Sequence, residues 1–211
     1  IIKFIINHPP FDFVKSNAKC AFFSAVLNQY YDVIELLTKI PEIDINCQCP
    51  KMPQDLCVNY GQLYNKNIEG MTPIYIASAI SLDFLNFLLK LFKGKININA
   101  RNADGSTPIF AALTSSPSMN ILLGVKDLDI NAQDNNGRTV LMHMVLQRNI
   151  QCAAMILARN DVDLSIVDKE GKNVLEYINP ELASTDPKSL SWKEASEIFF
   201  QSSFSSNDYW V

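Results

Sequence analysis

Apolar residues recur along this chain in short clusters separated by polar turns. Between residues 102 and 133 the order is a polar turn, Asn102-Ala103-Asp104-Gly105-Ser106, then Pro108-Ile109-Phe110-Ala111-Ala112, then Met119, Ile121, Leu122 and Leu123, then an alternating Leu128-Asp129-Ile130-Asn131. Asp104-Gly105 predicts a tight turn, because Gly takes the φ > 0 that such a turn needs. Thr107 suits a helix N-cap, and Pro108 suits the first helical position, where no backbone N–H is required. The pattern predicts a turn, two short antiparallel helices and an extended return. Such a unit cannot bury its apolar face alone and needs copies of itself.

The copies are present. Gly70, Gly105, Gly137 and Gly171 stand 35, 32 and 34 residues apart. Thr72-Pro73-Ile74, Thr107-Pro108-Ile109 and Thr139-Val140-Leu141 each follow a glycine. The alternating return recurs as Ile43-Asp44-Ile45-Asn46, Ile96-Asn97-Ile98-Asn99 and Val162-Asp163-Leu164-Ser165. These residues resemble the ankyrin repeat, with its period of about 33 residues and T-P-L-H-x-A core. The resemblance covers most of residues 1–178. The family's usual His after T-P-L is replaced by Tyr75, Phe110 and Met142. The resemblance implies an all-α ankyrin-repeat solenoid of helix-turn-helix repeats with short hairpin turns, to which the tail's own pattern adds a non-repeat C-terminal helix.

Residues 1–14 read as the second helix and return of a truncated repeat, with Phe11-Asp12-Phe13 as the return. The repeats are then expected over 15–46, 67–101, 102–133 and 134–167, with a terminal half repeat over 168–180. Helices are predicted at 21–26 and 32–37, at 82–92, at 140–146 and 151–158, and at 174–178, with Pro117 opening the second helix of its repeat. Residues 47–66 interrupt the period with two prolines and a glycine, and predict a projecting loop. In the tail, 181–211, Ser191 and Glu194 form a capping-box signature. A helix from Trp192 to about Gln201 would put Trp192, Ala195, Ile198 and Phe199 on one side and seal the last repeat. Docking of that segment on another protein is the alternative.

Composition narrows the function classes. The 211 residues carry a formal net charge of -4, which argues against a nucleic-acid backbone as the main partner. No apolar run approaches 18 residues, so no membrane span is expected. Five cysteines, an odd number, and no Asn-x-Ser/Thr acceptor point to free thiols in a reducing, intracellular and cytoplasmic setting. Cys47, Cys49 and Cys57 invite a metal reading, but C-x-C-x7-C without a nearby His is poor ligand spacing for zinc, so no metal and no cofactor are expected. His143 falls on a predicted inner helix and reads as a packed, hydrogen-bonded residue rather than a general base. The chain has no G-x-S-x-G turn, P-loop or H-E-x-x-H, so no catalysis is expected.

The resemblance also implies a site. In the family, partners lie on the concave surface made by the turn tips and the exposed side of the first helices. The corresponding tips are Ile68, Glu69 and Met71; Ala103, Asp104 and Ser106; Asn135, Asn136 and Arg138; and Lys169, Glu170 and Lys172. The corresponding inner-helix positions are Ala79 and Ile80, Thr114 and Ser115, and Leu146 and Gln147. Met71, Ile80 and Leu146 would supply an apolar centre and Arg138 and Lys172 a charged rim, both typical of binding hot spots. The expected function is a protein-protein interaction module, itself a monomer. The alternatives are a regulatory or targeting region of a larger enzyme and a scaffold without a discrete ligand.

Overall fold

The computed structural model describes residues 12–41, 43–49 and 70–179, together with Glu194, Glu197 and Ile198. The chain divides into two compact units, Ile1–Ala111 and Ala112–Val211. The boundary falls inside the stretch where the repeat pattern is easiest to read.

In the first unit, α1 runs Asp12–Leu27 and α2 runs Tyr31–Leu37. The helix expected at 21–26 is therefore the end of a longer one, and Asp12 and Phe13, expected in an extended return, are its first two residues. Neither Gly nor Pro lies between 12 and 27, so nothing in the local sequence stops the helix. Gln29 turns the chain with φ 55°, and Ile34 and Leu37 of α2 are buried. Next come α3, Pro73–Ile80, and α4, Leu82–Leu91. Each has a hydroxyl cap: Thr72 accepts from Tyr75 N (3.3 Å) and Ser81 from Phe84 N (3.4 Å). Phe84, Leu85 and Leu88 share one face of α4 and are fully buried. Helix α3 packs on α1, on α4 and on the single turn α5, Pro108–Ala111.

Helix α5 departs from the expected cap. Thr107 stands at the N-cap position, yet its buried hydroxyl oxygen has no hydrogen-bond partner among the described residues. The turn closes on the backbone instead, with Phe110 N donating to Thr107 O at 2.9 Å. That i→i+3 closure is the tighter 3₁₀ type, which suits so short a helix.

The second unit contains α6 (Ser116–Leu123), α7 (Val140–Leu146), α8 (Ile150–Leu157) and α9 (Val174–Ile178). Pro117 sits in the first turn of α6 beneath the Ser115 cap. Asn149 works in two directions. Its Oδ1 caps α8 through Cys152 N (3.1 Å), and its Nδ2 donates to Leu113 O (2.7 Å) in the preceding repeat. Asn173 and Glu176 form a full capping box on α9. Helix α7 packs on α8 and α9, and α6 packs on α8.

The alternating segments are not strands; no strand occurs among the described residues, and the only isolated bridge joins Gln133 to Thr139. Their alternation is nevertheless real in burial: Leu128 and Ile130 are buried while Asp129 is exposed. A side-chain turn sets their shape. Asn131 N donates to Asp129 Oδ1 (3.0 Å), Asn99 N to Asn97 Oδ1 (3.0 Å), Asn46 N to Asp44 Oδ1 (2.9 Å) and Ser165 N to Asp163 Oδ1 (2.8 Å). This is the Asx turn, which offers the backbone an alternative to a ladder.

Two asparagines then tie one return to the next. In the first unit Asn46 Nδ2 donates to Lys95 O (3.0 Å) and its Oδ1 accepts from Asn97 N (2.7 Å). In the second, Asn131 Nδ2 donates to Asp161 O (2.7 Å) and its Oδ1 accepts from Asp163 N (2.8 Å). One amide group satisfies a donor and an acceptor of the neighbouring repeat and so fixes the register between them.

The tail expectation lies mostly outside the described residues; of its helix, Glu194, Glu197 and Ile198 are helical. The insert over 47–66 is described only at Cys47, Gln48 and Cys49, where Cys49 N donates to Met71 O (2.7 Å) and Gln48 Nε2 to Arg101 O (2.8 Å).

Candidate protein-interaction surface

The turn tips are built around a carboxylate. At the second unit's first tip, Asp134 Oδ1 accepts from Asn136 N (2.8 Å) and Arg138 N (2.9 Å). At the next tip, Asp168 Oδ1 accepts from Glu170 N (2.9 Å) and Lys172 N (3.0 Å). Asn102 does the same in the first unit through Ser106 N (2.9 Å). The second carboxylate oxygen is also used. Asp134 Oδ2 accepts from His143 Nε2 (2.9 Å), and Asp168 Oδ2 accepts from the Tyr177 hydroxyl. Burial alone would push both carboxyls up. The hydrogen bonds from His143 or Tyr177 and from the turn amides outweigh it and hold both below the usual carboxylate range. These carboxylates are committed to turn shape, which matches the reading of His143 as a hydrogen-bonded residue.

Successive tips are joined backbone to backbone. Lys169 N donates to Asn136 O (2.9 Å). Gly137, with φ 77°, lies so close to the next tip that a Cβ there would stand 3.0 Å from Asp168 Cα and Lys169 N. A glycine is thus needed twice over, for its backbone angle and for the approach.

The expected site residues divide as follows. In the first unit Ala103 and Asp104 are exposed, while Ser106, Ala79 and Ile80 are half-buried. Met71 was expected on the surface and is only 7% exposed, because the chain at Cys49 pairs with its backbone. Ile68 and Glu69 lie outside the described residues. In the second unit Asn135, Asn136, Lys169, Glu170, Lys172, Thr114 and Gln147 are exposed, and Leu146 at the end of α7 is 47% exposed. Ser115 is half-buried and occupied as the α6 cap, so it serves the helix rather than a free surface.

Arg138 also differs from the free rim residue that was expected. Its guanidinium sits 5.7 Å from the centre of the Tyr177 ring and 3.7 Å and 3.6 Å from carboxylate oxygens of Asp168 and Glu170. It braces two tips as well as facing outward. Tyr177 was not singled out in the sequence, although a signal existed: it follows Asp168 by nine residues, as His143 follows Asp134.

Cys20, Cys47, Cys49 and Cys152 are free thiols. Burial pushes the Cys47 thiol up to about 11, with Lys19 lowering it and Asp44 raising it, so it stays protonated at neutral pH. Among the described residues no group of three or more His, Cys, Asp or Glu could hold a metal ion; Cys57 lies outside them. Among the described residues no helix is long and apolar enough to cross a membrane.

The repeated tips, the helix pairs and the bridging asparagines are those of ankyrin repeats. Residues 125–178 match the family model described as ankyrin repeats in many copies. A stretch of 109 residues is 31% identical to Rabankyrin-5 of Homo sapiens and covers 51% of this chain and 9% of that protein. The Mus musculus Rabankyrin-5 is 27% identical over 109 residues, again 9% of its length. The chain thus spans a small part of the relatives it matches. Ankyrin repeats generally mediate protein-protein interaction.

Proposed function

We propose that this chain binds a protein partner through its turn tips and the exposed ends of its first helices. The observation that carries the reading is the Lys169 N to Asn136 O hydrogen bond. It sets two tips side by side on a rigid backbone while the side chains of Asn135, Asn136 and Lys169 remain exposed. Leu146 adds an exposed apolar group on α7, the helix that follows the first of these tips. Rigid presentation lowers the ordering cost of binding, and an apolar anchor within a polar rim is the usual make-up of a hot spot. In the first unit Ala103, Asp104 and the half-buried Ile80 offer the corresponding positions. A reducing intracellular compartment fits the free thiols.

The test compares capture of partners from a cell lysate by the wild-type chain, by Leu146→Ser with Lys169→Glu, and by Gln151→Ala on α8. Circular dichroism checks that all three fold. The reading expects a partner kept by Gln151→Ala and weakened at least about ten-fold by the tip-face pair, since removing an anchor commonly costs more than about 1 kcal/mol. A partner that binds the tip-face pair as well as wild type overturns it.

A further inference from the structure

We propose a second docking surface, beyond the turn tips, at the first turns of α2 and α4, which takes a basic segment of a protein partner bearing leucine or aromatic anchors. Five large hydrophobic side chains are conspicuously exposed among the described residues, and three of them fall here: Tyr30 at 57%, Tyr31 at 36% and Leu82 at 37%. Tyr31 joins the two helix starts by packing across onto α4. The Tyr31 ring meets Phe84 and Phe87 of α4 edge-on, with centroids 5.6 Å and 4.5 Å apart. Phe84 is fully buried and Phe87 half-buried, so the exposed aromatic surface rests directly on the core. An anchor held that way loses little further freedom on binding, and tyrosines so placed are frequent at interface centres.

The charge around the patch selects the partner. Asp32 follows Tyr31, and Glu35 lies four residues beyond Tyr31 on the same helical face. Asp83 lies four residues before Phe87, again on one face. All three carboxylates are exposed, and none is in an ion pair among the described residues. The nearest lysines in sequence, Lys39 beyond the end of α2 and Lys90 in the last turn of α4, come at the far ends. An apolar centre with an acidic rim complements Lys or Arg flanking an apolar anchor. A second copy of the same patch would set like charges against each other, so the occupant is a different chain.

The test uses the full chain and a synthetic library of short peptides in which Lys or Arg alternates with Leu, Phe or Trp, beside a matched set carrying Glu instead. Fluorescence anisotropy is read at low and moderate salt. The proposal expects basic peptides to bind at least about ten-fold more tightly than their Glu counterparts, and more weakly as salt rises. Tyr30→Ser with Leu82→Ser, and separately Asp32→Lys with Asp83→Lys, should each weaken the best peptide by about ten-fold or more while the circular dichroism spectrum is unchanged. Equal binding of the two sets overturns the proposal, as does binding that neither double variant changes. Sedimentation velocity showing self-association that Tyr30→Ser abolishes also overturns it, in favour of a second copy.

Discussion

His143 Nε2 lies 2.9 Å from Asp134 Oδ2, nine residues back along the chain, and the Tyr177 hydroxyl stands in the same relation to Asp168. Each pair ties an inner helix to the turn that precedes it. The two donors are chemically unlike, yet both reach the carboxylate oxygen that the turn amides leave open. The tip and its helix therefore behave as one rigid piece, as a surface that presents exposed side chains requires.

This arrangement makes the repeats sensitive to acid. The folded carboxyls of Asp134 and Asp168 lie below their ordinary value of 3.8. A lowered folded value means the stabilisation is fully present above the unfolded value and is lost as pH falls through the folded one. The melting temperature should fall as pH is lowered below about 4, and Asp134→Asn should blunt that dependence. Thermal melts from pH 7 to pH 2.5 check this. A pH dependence in Asp134→Asn identical to wild type would count against it.

The asparagine bridges give a second expectation. Asn131→Ala removes the donor to Asp161 O and the acceptor for Asp163 N. Each hydrogen bond contributes about 0.5–1.5 kcal/mol net, so the loss should be about 1–3 kcal/mol. Urea unfolding of the variant against wild type measures it directly. Asn131→Asp keeps the acceptor and loses the donor, so it should fall between the two.

The glycines at two tips separate backbone angle from crowding. Gly137 and Gly171 have φ of 77° and 79°, but only Gly137 has the next tip within 4 Å of a built Cβ. Gly171→Ala should cost about 1 kcal/mol, the usual price of a left-handed angle on a residue with a side chain. Gly137→Ala should cost clearly more, because the backbone of Asp168 and Lys169 must also shift. Equal costs by denaturant unfolding would show that the close approach carries no energy.

Much of this was legible in the sequence, and the exceptions have physical reasons. The helices α7 and α9 begin and end where the apolar clusters predict, because Thr139 and Asn173 mark their starts. The returns read as extended because apolar-polar alternation is shared by a strand and by an Asx turn; the aspartate or asparagine two residues before the donating amide is the distinguishing signal. Met71 follows a tip glycine and resembles an exposed position, but its burial depends on Cys49, which reaches it across an insert that no period describes. Arg138 reads as a free charge because its partners, Asp168, Glu170 and Tyr177, lie a whole repeat away.

Hydrogen-deuterium exchange on a captured partner complex tests the central claim most directly. The account predicts slowed exchange on binding in the peptides covering Asn135 to Arg138, Leu146 to Gln147 and Lys169 to Lys172, with α6 and α8 unchanged. Protection confined to α6 and α8, with those peptides exchanging as in the free chain, would contradict it.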